Sequence, residues 1–439
     1  MFAVKIIFLI IYLFFLVKII LKKESTYMPF WILPLFMFAW KGFSLLYLEQ
    51  GVYATELYRK TYPIGTEYVF IILMTIFFAA AIASVKIFDN ALYTDGKETL
   101  VPRRNLNITW FVYFHVILLM YLYLNVFLTG IYFPRSILIY INHSRLPFVN
   151  TLGSTVMFFL LTIDGVSAFL LKKHKALIAV IFLLSIGYMI IIGQKFSGVY
   201  QYVIFFITPF IFNYALTKKL TIRVLLRPKV LITIAIIIGV FAVYSMFKYD
   251  STGSSKSSAE QLFIARVFDM QSGTLWGVND FAIKNHSEWF GVSAQRNLEL
   301  QGWIENWSDL DDRIGLGKVM KLVTLNEISS DYLASGLRFS GWFLVVSILN
   351  FGYFGSAILC VLLGLIFAII TVAMKKALLK GDILIIAVAV FSYCHFYDYY
   401  RIGNFNILFS IPGILCLIIL SVYLYGRRKR VEVKIKWKK

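Results

Sequence analysis

Long apolar runs divide this chain into segments of about 18–24 residues, the length that crosses roughly 30 Å of hydrocarbon as a helix. The runs are continuous and do not alternate apolar with polar positions, so they favour helices over the strands of a membrane barrel. Eleven runs are candidate spans, of which the tenth is short and polar near its end: 3–21, 28–48, 68–88, 109–128, 152–171, 176–192, 199–215, 230–246, 353–373, 383–396 and 407–424. The pattern predicts an all-α, polytopic integral membrane protein with about eleven transmembrane helices, in a range of ten to twelve.

The connections between the runs differ in charge, which predicts their orientation. One alternating set is strongly basic: Lys22-Lys23, 97–104, 172–175, 218–229, 375–380 and 427–439. Because short cytoplasmic loops carry the excess of Lys and Arg, this set is expected inside, with the N-terminus outside and the C-terminus inside. The first run lacks a small-residue cleavage site after it, so we expect a retained helix rather than a signal peptide.

One connection is much longer than the others and defines the predicted organisation of the chain. We expect transmembrane spans one to eight in 1–248, a large external loop in 249–352, the remaining spans in 353–426 and a basic tail in 427–439. The loop opens with a Ser- and Gly-rich stretch, 251–258, and later contains 311–325 with helical periodicity. Its last part, 339–351, is apolar but too short to span, which favours a re-entrant or interfacial segment; a twelfth span is the alternative.

The net charge and the positions of the cysteines exclude some classes of function. The net charge of +20 comes from basic residues in short loops and the C-terminal tail, so it favours membrane topology over nucleic-acid binding. The three cysteines all lie in apolar runs without metal or disulfide spacing. We therefore expect neither a disulfide framework nor a nucleic-acid partner.

Charged residues inside apolar runs are the first candidates for function, because a charge at mid-bilayer costs a few kcal/mol. Lys41, His115 and Asp164 lie within predicted spans, whereas Asp398 and Arg401 lie at the outer end of one. The plain interpretation is that these groups pair with one another or face a small wet pocket. For Asp398 and Arg401 a functional cavity is the stronger interpretation, since three tyrosines crowd the same end.

Cations on the predicted outer side are the second group of candidates, because they oppose the usual charge bias. They are Lys195, Arg266, Arg296, Arg313 and Arg338. An arginine fork that cannot lose its charge suits a phosphate-bearing ligand. The alternative is that these arginines pair with acids of the same loop, most simply Arg313 with its neighbouring aspartates. The loop also holds four tryptophans, which either stack on sugars or anchor the loop at the membrane interface.

These features together resemble the Wzy-type polymerases of O-antigen and related oligosaccharide repeat units. That family is similar in its ten to fourteen spans and single long periplasmic loop, and in an Arg followed by ten residues and a Gly. Here Arg266 and Gly277 have that spacing in the long loop, whereas Arg401 and Gly413 miss it by one. Lys195 stands where many members have an arginine after a span, and Arg338 has no matching glycine.

The resemblance implies a glycosyltransferase that joins undecaprenyl-diphosphate-linked oligosaccharides into a surface polysaccharide in the bacterial inner membrane. Cations would hold the leaving diphosphate, and a general base would accept the proton of the acceptor hydroxyl. The expected catalytic residues are Arg266, Asp269, His286, Arg338 and Arg401, with Glu299 as a further candidate base. The expected substrate-binding residues are Lys195, Arg296, Glu299, Trp276, Trp303, Tyr397 and Asp398.

The implied partners are the lipid-linked oligosaccharide, membrane lipids and a polysaccharide chain-length regulator, and no metal or cofactor is expected. Two alternatives stay open. An O-antigen ligase or another lipid-linked-sugar transferase would share nearly every feature and differ in the acceptor. A flippase or transporter would instead have polar residues spread through many spans and short outer loops, and no internal repeat of the transporter kind is evident.

Overall fold

The computed structural model describes residues 2–90, 108–134, 137–194, 196–218, 221–228, 232, 239, 265, 267–307, 311–334, 339 and 341–436. Within them the chain is almost entirely helical, and its one small sheet is a two-stranded hairpin. The helices are α1 (Phe2–Glu24), α2 (Met28–Leu48), α3 (Thr66–Asn90), α4 (Ile108–Thr129), α5 (Ile137–Asn142), α6 (Val149–Leu170), α7 (Lys175–Ile191), α8 (Phe196–Lys218), α9 (Ile222–Leu225), α10 (Gly273–Lys284), α11 (Ser293–Ile304), α12 (Gly315–Val323), α13 (Asn326–Ala334), α14 (Phe343–Lys380), α15 (Ile383–Ile402), α16 (Phe405–Leu408) and α17 (Ile411–Lys436). The hairpin pairs β1 (Tyr53–Ala54) with β2 (Arg59–Lys60).

Seven of these helices are long and apolar enough to cross a membrane: α1, α2, α3, α4, α6, α14 and α15. Three shorter apolar helices lie in 175–191, 201–215 and 411–425. The predicted helical membrane architecture is therefore confirmed in its coarse form for the described part of the chain. The predicted eighth run, 230–246, lies outside the described residues except for two positions, so the count of eleven stays a prediction.

The core is formed where α3 packs along α14, and a glycine permits the close approach. A Cβ on Gly364 would lie 2.7 Å from the backbone nitrogen of Ala81, so no larger residue fits there without a shift. Small residues at such crossings are the usual way in which helices approach closely in membranes. Around this contact, large aromatic rings fill the interior; those of Trp31 and Phe367 lie 4.6 Å apart between their centroids. Both residues are fully buried.

Helix α14 is broken at Gly352, whose φ of 64° and ψ of −167° are not helical. The free backbone groups at the break bond to the preceding loop: the N–H of Tyr353 donates to the carbonyl of Glu288 at 2.7 Å, and Val292 donates to Leu349 at 2.8 Å. The short helix before the break is buried among other elements. Non-helical backbone at membrane depth is tolerated only in such protein surroundings. The re-entrant assignment of 339–351 stays a prediction.

Buried carboxylates tie the connecting segments to the helix ends. Glu49, just after α2, accepts the backbone N–H groups of Ile64, Gly65 and Thr66 at 2.8–3.0 Å. These N–H groups lie at the start of α3, where backbone N–H groups have no acceptor within the helix. A negative charge is also favourable at a helix N-terminus. Glu49 therefore fixes the loop 49–65 on the start of α3.

Candidate functional site

The connection 49–65 and the described parts of the segment 267–342 lie together beyond one end of the helices, and we call this side the loop face. The hydroxyl of Thr55 donates to Asp269 at 2.6 Å, and its backbone N–H donates to the same carboxylate at 3.2 Å. From α2, the ammonium group of Lys41 donates to the carbonyl of Gln271 at 2.5 Å. The loop face is thus anchored to the helices by buried polar contacts rather than tethered loosely.

His286 has an unusual backbone conformation at the end of α10. Its φ is 50°, in the left-handed region, and the two hydrogen bonds of a Schellman motif surround it: His286 to Ile283 at 3.2 Å and Ser287 to Ala282 at 2.9 Å. Glycine normally occupies this position because a side chain there is disfavoured. A strained position is a reason to look for a function. The imidazole of His286 is exposed.

The exposed imidazole lines a pocket of about 350 Å³. The pocket is an open depression on the surface and not an enclosed cavity. Apolar and polar groups alternate along its wall, which consists of Phe281, Asn285, His286, Ser287, Phe290, Gly291, Val292 and Ser293. Such a mixture suits a ligand that has hydroxyl groups and an apolar face.

The pocket lies beside the lipid-facing surface of α14. Trp289 and Phe290 are 61% and 70% exposed, and the ring of Phe290 contacts that of Phe354 with centroids 6.5 Å apart. Phe354 itself is exposed and begins an apolar surface that continues along α14 through Ile358. Exposed Trp and other aromatic residues are typical of the membrane–water interface. The pocket therefore lies next to an exposed apolar surface of α14.

Arg296 belongs to the same region. One of its terminal nitrogens donates to the carbonyl of Phe290 at 3.4 Å, a long and weak hydrogen bond. Phe290 lines the pocket, so the structure brings two of the predicted site residues, His286 and Arg296, to one place.

Asp398 and Arg401 form a second group on the last turn of α15. Their shortest charged contact is 3.4 Å, and both side chains are partly exposed. The Nε of Arg401 is buried without a hydrogen-bond partner among the described residues. Tyr397, which precedes the pair, is buried against Leu33 and Ile204. The guanidinium of Arg401 is therefore held by Asp398 only weakly, and its side chain is partly exposed.

Arg313, unlike Arg401, makes close contacts with its neighbouring residues. Its guanidinium donates to Asp311 through two nitrogens, the shortest distance being 2.7 Å, and its carbon lies 3.7 Å from the ring centroid of Trp307. The predicted pairing of Arg313 with a neighbouring aspartate is confirmed. The side chain of Asp311 has its pKa lowered, first by the hydrogen bond from Arg313.

The two acidic candidates for general base already bond to protein groups. Asp269 holds Thr55 of the hairpin loop, as described above. Glu299 is buried and accepts the backbone N–H of Gly315 at the start of α12. Burial raises the pKa of Glu299, while the bonds to Gly315 and Asn350 oppose that change. Both carboxylates have an evident structural task, which favours His286 as the base.

The predicted tryptophans have different environments. Trp276 is fully buried, and its indole N–H donates to the carbonyl of Tyr62 at 3.2 Å. A buried ring offers no face to a sugar in this arrangement. Trp303 is 42% exposed, with its indole N–H bonded to the carbonyl of Phe409 at 2.9 Å, and it stays a candidate for substrate binding.

The sequence analysis did not single out the charges around Asp280. Its carboxylate lies 3.0 Å from Arg59 and 2.9 Å from Lys284, and it also accepts the hydroxyl of Tyr62. Burial alone would raise the pKa of Asp280, but these hydrogen bonds and charges lower it on balance. Only the i, i+4 spacing of Asp280 and Lys284 was visible in the sequence. The cluster joins the hairpin to α10.

Three predicted site residues, Lys195, Arg266 and Arg338, lie outside the described residues. The sequence also predicts that Arg338 shares one wet cavity with Asp398 and Arg401, because all three lie at the same predicted outer membrane face; this stays a prediction. In the described part of the chain, no three His, Cys, Asp or Glu side chains are grouped as metal ligands.

The comparisons with known proteins give one match. The model of a family of unknown function, DUF6418, matches residues 309–418. The matched range runs from the loop face through α14 and α15 and includes Gly352 and Arg401, but not His286. No curated protein and no solved structure matches the chain.

Proposed function

We propose that this chain is a membrane glycosyltransferase that polymerises lipid-diphosphate-linked oligosaccharide repeat units at its loop face. The observation that supports the proposal is the exposed His286 in a pocket next to exposed aromatic and apolar residues of the loop and of α14. A lipid-linked sugar stays at the membrane surface, so an enzyme that acts on it needs its site at that depth. A pocket deep in the bundle or far out in solvent would not suit such a substrate.

The proposed roles follow from the chemistry of the side chains. His286 accepts the proton of the acceptor hydroxyl, since its imidazole is exposed in the pocket. Arg401, with Arg266 and Arg338, holds the diphosphate as it leaves, because its donors are only weakly engaged. Arg296, Trp303, Tyr397 and Asp398 contribute to substrate binding in this proposal.

The proposal includes an orientation in the bacterial inner membrane. The loop face and the N-terminus are periplasmic and the basic C-terminal tail is cytoplasmic, as the positive-inside bias predicts. An alkaline phosphatase fusion within 251–258 should be active. A fluorescent protein that folds only in the cytoplasm should be dark at that site, and fluorescence there would contradict the orientation.

A deletion strain tests the function directly. Loss of a polymerase leaves a single repeat unit on the lipid acceptor, whereas loss of a ligase leaves no glycan on the acceptor. Loss of a flippase leaves the lipid-linked unit on the cytoplasmic side. Only the first result supports the proposal, and either of the others overturns it.

Arg401 of α15 and Arg313 of the loop face provide a matched pair of variants for the same strain. Arg401→Ala should reduce long chains by roughly a hundred- to thousand-fold in rate, as expected when a group that stabilises a leaving anion is lost. Arg313→Ala removes an equal charge that is already bound to Asp311 and Trp307. It should leave the rate per molecule unchanged. Equal effects of both variants would remove Arg401 from the mechanism.

A further inference from the structure

A buried ion pair lies within the helices, away from the loop-face groups. His115 of α4 and Asp164 of α6 are 0% and 1% exposed, and Nδ1 of the histidine lies 2.6 Å from Oδ2 of the aspartate. The two residues are 49 positions apart in the sequence. The expectation that charged groups inside the spans pair with one another is therefore confirmed for these two. An ionisable pair at membrane depth is expensive, which makes it a candidate for function.

Each partner also keeps one polar atom without a hydrogen bond. Nε2 of His115 and Oδ1 of Asp164 are buried and have no partner in the described part of the protein. A buried polar atom left in this state costs about 1–3 kcal/mol. A pair that served only to lock two helices together would be expected to have these atoms satisfied by neighbouring groups. The two free atoms suit a transient occupant that donates to one or accepts from the other.

The helix that carries Asp164 is irregular on both sides of it. Leu152–Val156 and Val166–Leu170 are π-helical, and the α-helical turns with Asp164 lie between them. Such wide turns occur mostly as short segments at functional sites. Asp164 is thus on a short α-helical segment between two π-helical turns.

The backbone of α8 comes close to the same point. A Cβ on Gly165 would lie 2.2 Å from the carbonyl oxygen of Phe206, so glycine is required next to Asp164. Pro209 of α8 also borders Gly165 and has no N–H to offer. This crossing brings α8 against the carboxylate without adding a charge.

Tyr113, two residues before His115 on α4, is exposed, and further titratable groups on the packed helices lie further along the bundle. Tyr202 of α8 donates to the carbonyl of Gly153, which the hydroxyl of Tyr188 of α7 also approaches; Cys394 of α15 adjoins Tyr202. Gly153 is eleven residues before Asp164, or about 16 Å along a helix. Towards the other end, His174 contacts Thr109 at 3.3 Å, six residues before His115.

We propose that His115 and Asp164 form an intramembrane proton-binding site that takes up and releases a proton as the helices rearrange. In the resting state the ring carries one proton, which Nδ1 shares with Oδ2, so the pair has a net charge of −1. A proton from water adds to the free Nε2 and gives an imidazolium beside the carboxylate, a pair without net charge. Its return to water restores the net charge of −1. Because a net charge there costs several kcal/mol, release of the proton must accompany entry of water between α4 and α6.

The test is the protonation state of the His115 ring and is independent of the proposed glycosyl transfer. Full-length protein with ¹⁵N-labelled histidine rings is placed in lipid vesicles and followed by NMR between about pH 5 and 8. The chain has five histidines, so a variant with His143, His174, His286 and His395 replaced by Gln reports His115 alone. We expect a reversible change from neutral to doubly protonated ring. A ring that keeps one state throughout that range overturns the proposal.

Two further variants separate a proton site from a static lock. Asp164→Asn should change the proton affinity of His115 at least tenfold, since it removes the adjacent negative charge. The control is Ser185→Ala, which removes a buried hydroxyl that bonds only within α7, and it should leave the titration unchanged. An unchanged titration in Asp164→Asn would also overturn the proposal. If Asp164→Asn does not fold, the titration of the variant that keeps only His115 decides the proposal.

Discussion

His286→Gly separates the backbone role of this residue from its chemistry. The left-handed φ of 50° costs a non-glycine residue roughly 1–2 kcal/mol, and glycine removes that cost. Glycine also makes the unfolded chain more flexible, which costs about 0.5–1 kcal/mol. The net effect on the free energy of unfolding is therefore a gain of about 0–1.5 kcal/mol. The variant should fold as well as the natural chain or slightly better.

His286→Gly should lower the activity, although it does not lower the stability. Loss of a general base typically reduces the rate by about 10²–10⁴-fold. The assay is the length distribution of surface glycan in a deletion strain that carries each variant, with the membrane protein level measured in parallel. We expect His286→Gly to give short chains at normal protein abundance.

The chain provides a matched control for the same backbone change. His174 also has a left-handed φ, 52°, but lies at the start of α7 in the basic connection 172–175. His174→Gly relieves the same strain and should leave chain length unchanged. Long chains from His286→Gly, at the abundance of the His174→Gly protein, would refute the assignment of His286 as the base.

Three predictions concern the framework of the loop face. Gly352→Ala should destabilise the protein by about 1–3 kcal/mol or more, because the backbone there suits only glycine and the new Cβ would lie 2.3 Å from the carbonyl carbon of Trp289; thermal unfolding in detergent measures it. Glu49→Gln should cost about 1.5–3 kcal/mol in the same assay, since a neutral amide binds the three N–H groups less well. The pKa of Asp280 is lower in the folded protein than in the unfolded chain. The charged carboxylate therefore stabilises the fold above the unfolded-state pKa of about 3.9, and this stabilisation is lost as the pH falls through the folded-state pKa. The stability difference between the natural chain and Asp280→Asn should therefore shrink on acidification below about pH 3.9, and a constant difference would contradict the ion-pair argument.

The helices could be predicted from the sequence because membrane length constrains them strongly. The run 68–88 corresponds to α3, Thr66–Asn90, and the run 109–128 to α4, Ile108–Thr129. A helix must satisfy its backbone within lipid, so apolar length and helix length agree to a few residues. The break at Gly352 and the wide turns of α6 depend on neighbouring elements and leave no comparable signal in hydropathy.

The contacts between distant residues were much harder to predict. Nothing in the apolar pattern fixes the rotation of α4 against α6, so the pairing of His115 with Asp164 could be expected only in general terms. Asp269 was selected as a base for its carboxylate, yet that carboxylate bonds to Thr55, 214 residues away. The left-handed conformation of His286 has no signal either, because the residues after α10 contain no glycine at that point.

Residue type alone therefore ranks candidates poorly, and the hydrogen bonds that each group already makes rank them better. Arg313 and Arg401 carry the same guanidinium, but Arg313 binds Asp311 through two nitrogens, whereas Arg401 has one contact at 3.4 Å and an unpartnered Nε. A ligand that bound Arg313 would first have to break its pair with Asp311, and that loss would offset much of the gain. A ligand that bound Arg401 would break only its weak contact with Asp398 at 3.4 Å. The same reasoning favours the exposed His286 over the bonded carboxylate of Glu299 as the group that meets a substrate.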